Sequence, residues 1–126
     1  MTGSKASRWV VILIRIDTSS AEPLYEQIAA QVRAAIADGG IEPGVRLPAA
    51  QELASAIGVN LHTVLRAYAR LRDAGLIELR PRRGAVVCDI APARAGLVEQ
   101  VRLLVEAARG QGLSGAEILE LVGGEL

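Results

Sequence analysis

Residues able to hydrogen-bond bases and phosphates crowd one short stretch of the chain. His62, Thr63, Arg66 and Arg70 recur at spacings of three and four, which places them along one face of a helix. Asn60 stands just before them. Arg66 has the most specific chemistry, because a guanidinium can give two hydrogen bonds to the O6 and N7 of one guanine. An ordinary solvated helix face has the same composition. Asn60 can be a simple N-cap, and Thr63 can simply stabilise a first turn. A second basic group follows in Arg80-Pro81-Arg82-Arg83-Gly84. A turn of this kind can enter a minor groove or grip phosphates, or it can be only a solvated loop.

Charge sharpens this pattern. The chain carries no net charge, yet residues 1–90 hold 11 Lys and Arg against 9 Asp and Glu, and residues 91–126 hold 3 against 5. Six arginines lie between Arg66 and Arg83, against Asp73 and Glu78. A local basic cluster in the first part fits contact with nucleic acid. Trp9, Tyr25 and Tyr68 are the only aromatics, too few for the stacking platforms of a single-strand or RNA binder.

Catalysis has no visible constellation. His62 is the only histidine and Cys88 the only cysteine, so there is no metal-ligating cluster, nucleophile motif or intrachain disulfide. No catalytic residue, metal or cofactor is expected. Cys88 reads as a buried thiol in a strand, with a redox sensor as the alternative. The apolar run Trp9–Ile14 is far shorter than the roughly 20 residues of a membrane span. The reading is therefore a cytoplasmic protein with no membrane partner.

The elements that must position these residues follow from periodicity. Residues 1–8 read as a disordered start, and Trp9–Ile16 reads as a strand rich in β-branched residues. Leu24, Ile28, Val32, Ala35 and Ile36 mark a first helix, ended by Gly39-Gly40. Ile41–Pro48 is a loop by its prolines and glycine. A second helix over Ala49–Ile57 stops at Gly58, and a third runs from about Asn60 to Ala74. Strands over Leu76–Leu79 and Ala85–Ile90 flank the basic turn. Ala91-Pro92-Ala93 interrupts the pattern. Leu97, Val101, Leu104 and Val105 mark a fourth helix, and Ser114 with Glu117 forms a capping-box signature for a last one. That helix carries Ile118, Leu121 and Val122 on one face.

The second and third helices form a helix-turn-helix. Ala54 is small enough for a close helix crossing, Gly58 tolerates positive φ in the turn, and Val64 anchors the second helix. Val64, Ala67, Tyr68 and Leu71 form the core stripe of the third helix, leaving His62, Thr63, Arg66 and Arg70 outside it. The hairpin follows directly. The fold class is α+β, mostly α.

These stretches resemble the GntR family of bacterial regulators. The likeness runs over Glu22–Val87 through Pro23–Ile28, Gly44–Pro48, Glu52-Leu53-Ala54, Gly58-Val59-Asn60, Thr63–Tyr68, Leu71, Gly75-Leu76-Ile77 and Arg83-Gly84. The resemblance implies a winged helix-turn-helix domain over 9–90. The Leu-rich segment 91–126 is similar to the two-helix dimerisation tail of the YtrA subfamily. Expected partners are double-stranded DNA and a second copy of the chain, with room for an unidentified small-molecule effector. The DNA-binding set is Arg46, Gln51, Asn60, His62, Thr63, Arg66, Arg70, Arg80, Arg82, Arg83 and Gly84. The dimerisation set is Leu97, Val101, Leu104, Val105, Ile118, Leu121 and Val122. The chain departs from the family where Pro-Ser-x-Arg is usual: Ala49 cannot cap with its side chain, and Gln51 carries no charge. The wing departs too, with Arg83-Gly84-Ala85-Val86 where Gly-Thr-Phe is usual. The expected function is a homodimeric repressor on a near-palindromic operator. The alternative is a winged-helix protein-interaction module that has lost strong DNA binding.

Overall fold

Ile28, Val32 and Ile36 recur one turn apart and are fully buried on the inner face of helix α1 (Leu24–Ala37). The computed structural model that shows this describes residues 13–126. Helices α2 (Ala50–Ile57) and α3 (Leu61–Asp73) follow, then strands β1 (Ile77–Arg80) and β2 (Gly84–Val87), then helices α4 (Ala91–Gly110) and α5 (Gly115–Gly123). The chain divides into two compact units, one ending at Gly96 and one of Leu97–Leu126.

In the first unit α3 is the central element, packing on α1, α2 and β1. Val64, Ala67, Tyr68 and Leu71 are its buried residues, the stripe that the spacing predicts. Gly58 ends α2 in the left-handed region at φ 72°. A Cβ there would strain the backbone, so glycine suits the turn between the two helices. Its N–H and that of Val59 both donate to the carbonyl of Ala54, at 3.0 Å. Tyr68 fixes the approach to α2: its buried hydroxyl donates to the Pro48 carbonyl at 2.6 Å. Burial, and then the charge of Glu52, push its pKa up, so the hydroxyl stays a donor.

β1 and β2 pair antiparallel, with Ile77 opposite Val87 and Arg80 opposite Gly84. The segment before α2, read above as a plain loop, adds to this hairpin. Gly44 and Leu47 donate backbone hydrogen bonds to Val87 and Ala85, and Val87 donates to Val45. Val45 and Leu47 turn inward while Arg46 stays exposed, the alternation of an extended segment.

Three element boundaries differ from expectation. Of the expected strand Trp9–Ile16, residues 9–12 lie outside the described residues. Leu13 is helical, and 14–16 belong to no strand. The backbone there is bonded by side chains of α1: Gln31 exchanges two hydrogen bonds with Arg15 (2.8 and 2.7 Å) and Gln27 two with Asp17 (both 2.9 Å). Ile14 is buried against the core all the same. β2 ends at Val87, leaving Cys88 outside the strand and only partly buried. Its N–H still donates to the Leu76 carbonyl. Third, α4 begins at Ala91 rather than near Leu97. Pro92 does not break it, because a proline in a first turn lacks only an N–H that has no helical acceptor. Ala91 and Ala95, one turn apart, are both fully buried, and Arg94 donates to the Ala74 carbonyl at the end of α3.

In the second unit the capping box is present. The Ser114 hydroxyl accepts from the Glu117 N–H at 3.2 Å, and the Glu117 carboxylate accepts from the Ser114 N–H at 2.9 Å. Those bonds hold the Glu117 pKa below its ordinary value. Ala108 and Ile118 are buried, whereas Leu97, Val101, Leu103, Leu104, Leu119 and Leu121 are exposed. Ile118, counted above in the dimerisation stripe, is thus already covered within the chain. Among the described residues no helix is long and apolar enough to cross a membrane.

Candidate nucleic-acid interface

The N-terminal half of α3 stands at the surface. Asn60 is the N-cap, its side-chain oxygen accepting the His62 N–H at 2.8 Å. The cap uses only that oxygen, so the amide NH₂ of the same side chain can still donate outward. His62 and Arg66 are exposed and Thr63 is half-buried. These three line an open cleft of about 300 Å³ together with Leu24 and Tyr25 from the start of α1. The fold therefore brings three of the expected residues together and adds two that sequence reasoning missed.

Two arginines of α3 are engaged by consecutive residues of α1. The guanidinium carbon of Arg66 lies 4.0 Å from the ring centroid of Tyr25, a cation–π contact worth about 0.5–1 kcal/mol at an exposed site. One turn later, Arg70 pairs with Glu26 through contacts of 3.0 and 3.4 Å. Both partners keep solvent contact, so the pair is weak enough to exchange for a phosphate. Neither contact has a sequence signal, since Tyr25 and Glu26 lie far from their partners along the chain. An aromatic residue in the first turn of a helix was the only hint.

The hairpin forms a second basic site. Arg82 and Arg83 are exposed at its tip, and Arg46 borders it: a Cβ built on Gly84 would lie 3.8 Å from the Arg46 Nε. The Arg83 N–H donates to the Arg80 carbonyl, closing a turn with Pro81 in its second position. Arg82 occupies the third position at φ 68°, where glycine or asparagine is the usual choice. A side chain there costs about 1–2 kcal/mol. Such strain gathers at functional sites, and here it holds a guanidinium at the outermost point of the turn. Arg80 is turned to Glu78 instead, at 2.7 Å.

α2 contributes less. Ala49 stands in the N-cap position and makes no side-chain cap. Gln51 is exposed in the first turn, where it can donate a neutral hydrogen bond but neutralises no phosphate.

Known proteins match this arrangement. Residues 24–87 match the family described as bacterial regulatory proteins, gntR family. The HTH-type transcriptional regulator Rv1152 of Mycobacterium tuberculosis is 33% identical over 84% of the chain and 88% of its own length. The HTH-type transcriptional repressor YtrA of Bacillus subtilis is 39% identical over 69% of the chain and 65% of its own length. Among solved structures, YtrA from Sulfolobus acidocaldarius, a GntR-family transcription factor, superposes with a TM-score of 0.59 at 41% identity. That match covers 74% of this chain and 98% of the other. A GntR family regulator from Listeria monocytogenes, 24% identical with a TM-score of 0.60, shares the fold. With a winged helix-turn-helix, a two-helix tail and these relatives, the chain belongs to the GntR family of bacterial transcriptional regulators, in its YtrA subfamily.

Proposed function

We propose that the chain is a cytoplasmic, homodimeric repressor that binds double-stranded DNA at a near-palindromic operator and catalyses no reaction. The observation that carries this reading is the division of α3: one stripe is wholly buried, while Asn60, His62 and Arg66 stand exposed at its N-terminal half. A recognition helix presents those positions to the major groove. Arg46, Arg82 and Arg83 act at the phosphates or the minor groove beside it. Arg66 swings from Tyr25 to a guanine, at the small cost of one exposed cation–π contact. Leu97, Val101, Leu104, Val105, Leu121 and Val122 pair with the same residues of a second copy across a two-fold axis.

The test is binding to a duplex selected from random sequence by the full chain, titrated with salt. Arg66→Ala reduces the preference for the selected duplex over random DNA by about 5- to 150-fold, the value of one bidentate base contact. Replacing Arg82 and Arg83 by alanine weakens binding to every sequence and flattens the salt slope by about two units. Equal affinity for selected and random DNA in the parent protein contradicts the reading.

A second reading has its own observation. Ala49 and Gln51 leave α2 without a capping side chain or a positive charge, as suits a winged-helix module that docks on protein. An unchanged salt slope in the doubly substituted hairpin favours that reading.

A further inference from the structure

Leu61 and Leu65 are exposed on α3, with 39% and 46% of their surfaces accessible. The helix does not need them for its core, which Val64, Ala67, Tyr68 and Leu71 complete. They are spaced i, i+4, so their Cβ atoms lie about 5–6 Å apart on neighbouring turns. By helix geometry both lie on the flank between the buried Tyr68 and the exposed His62, with Arg66 on the far side of His62. The result is a small apolar strip along the border of the polar surface just described. An exposed pair of leucines gains nothing from water, and a recognition surface built only for phosphates and polar base edges has no use for it.

The major groove offers one apolar group on its base edges, the 5-methyl of thymine. We infer that Leu61 and Leu65 are specificity-determining residues that pack against thymine methyl groups, beside the polar contacts of Asn60, His62 and Arg66. This rests on the reading of α3 as the helix that enters the major groove. Base pairs rise about 3.4 Å per step, so the two leucines reach thymines within about two steps of each other. Their contact makes each operator half-site require thymine, not merely an A·T pair in either orientation.

Uracil is thymine without that methyl and keeps the same pairing and hydrogen-bonding groups. The experiment uses the selected duplex with its thymines replaced by uracil one at a time. For the full chain, uracil at one or two positions per half-site weakens binding by about fourfold for each methyl lost. The Leu61→Ala and Leu65→Ala variants bind the thymine duplex more weakly, and each becomes insensitive to uracil at one of those positions. Leu65→Met, which keeps an apolar side chain of similar volume, retains the sensitivity. Because both leucines are exposed, unchanged melting temperatures accompany these changes. A duplex that is selected and tightly bound but indifferent to every uracil overturns this inference and leaves DNA reading by α3 standing. Full uracil sensitivity in both alanine variants also overturns it. If no duplex is enriched at all, the reading of α3 falls and this inference falls with it.

Discussion

The two units treat similar apolar side chains in opposite ways. In the first, Ile28, Val32, Leu53, Val64, Leu71 and Leu76 are fully buried, and the exposed surface is rich in arginine. In Leu97–Leu126 the helices are as rich in leucine and valine, yet only Ala108 and Ile118 are buried while Leu97, Val101, Leu103, Leu119 and Leu121 face solvent. Size explains the difference. Three helices and a hairpin can enclose a core, whereas two short helices cannot cover both of their apolar sides. An exposed apolar surface of this extent marks an interaction site. The first unit encloses most of its apolar side chains, with Leu61, Leu65, Leu79 and Ile90 as exposed exceptions, and shows its arginines; the second shows its leucines.

Core substitutions have the largest expected effect on that contrast. Leu71→Ala removes a fully buried side chain at the centre of the first unit and destabilises it by about 2–5 kcal/mol. Thermal melts register this loss equally at low and high protein concentration. If the proposed dimer covers Leu104, Leu104→Ala in the second unit gives a loss that grows as the protein is diluted. Identical concentration dependence in the two variants erases the distinction.

Tyr68→Phe comes next. It deletes the hydroxyl donor 2.6 Å from the Pro48 carbonyl and leaves that acceptor without its partner, destabilising the first unit by about 1–3 kcal/mol. Denaturant unfolding measures this directly; a change within error means water replaces the bond. The smallest effect is a gain. Ala49→Ser supplies the side-chain cap that α2 lacks and stabilises the fold by about 0.5–2 kcal/mol. A loss of stability on this substitution means that the loop geometry at Ala49 rejects a cap.

Periodicity and punctuation made most of the first unit legible. The stripe of Val64, Ala67, Tyr68 and Leu71, the left-handed turn at Gly58 and the capping box of Ser114 and Glu117 all depend on spacings within a few residues, where a side chain's neighbours are set by helix geometry. What stayed hidden depends on contacts across the chain. Arg66 on Tyr25 and Arg70 on Glu26 join α3 to α1, and no local pattern encodes which helix crosses which. The bonding of Val45 and Leu47 to β2 was masked by the prolines around it. The expected strand before α1 gives way, over its described residues, to backbone held by Gln31 at Arg15, with Gln27 holding Asp17 just after it, since amide side chains can satisfy an extended segment as a neighbouring strand does. Ile118 has the right spacing for an intermolecular stripe but is used inside the chain.

The division of labour between the units is tested most directly by ending the chain at Gly96. That cut keeps Ala91 and Ala95, which complete the first core; a cut at Ile90 would remove them. The measurement is sedimentation of both chains at micromolar concentration, alongside their affinities for the selected duplex. The expected result is a full-length dimer that spans two half-sites, and a folded, monomeric shortened chain that binds at least about 100-fold more weakly, since the second half-site no longer adds to the first. A full-length monomer, or a shortened chain that still dimerises and binds as tightly, contradicts it.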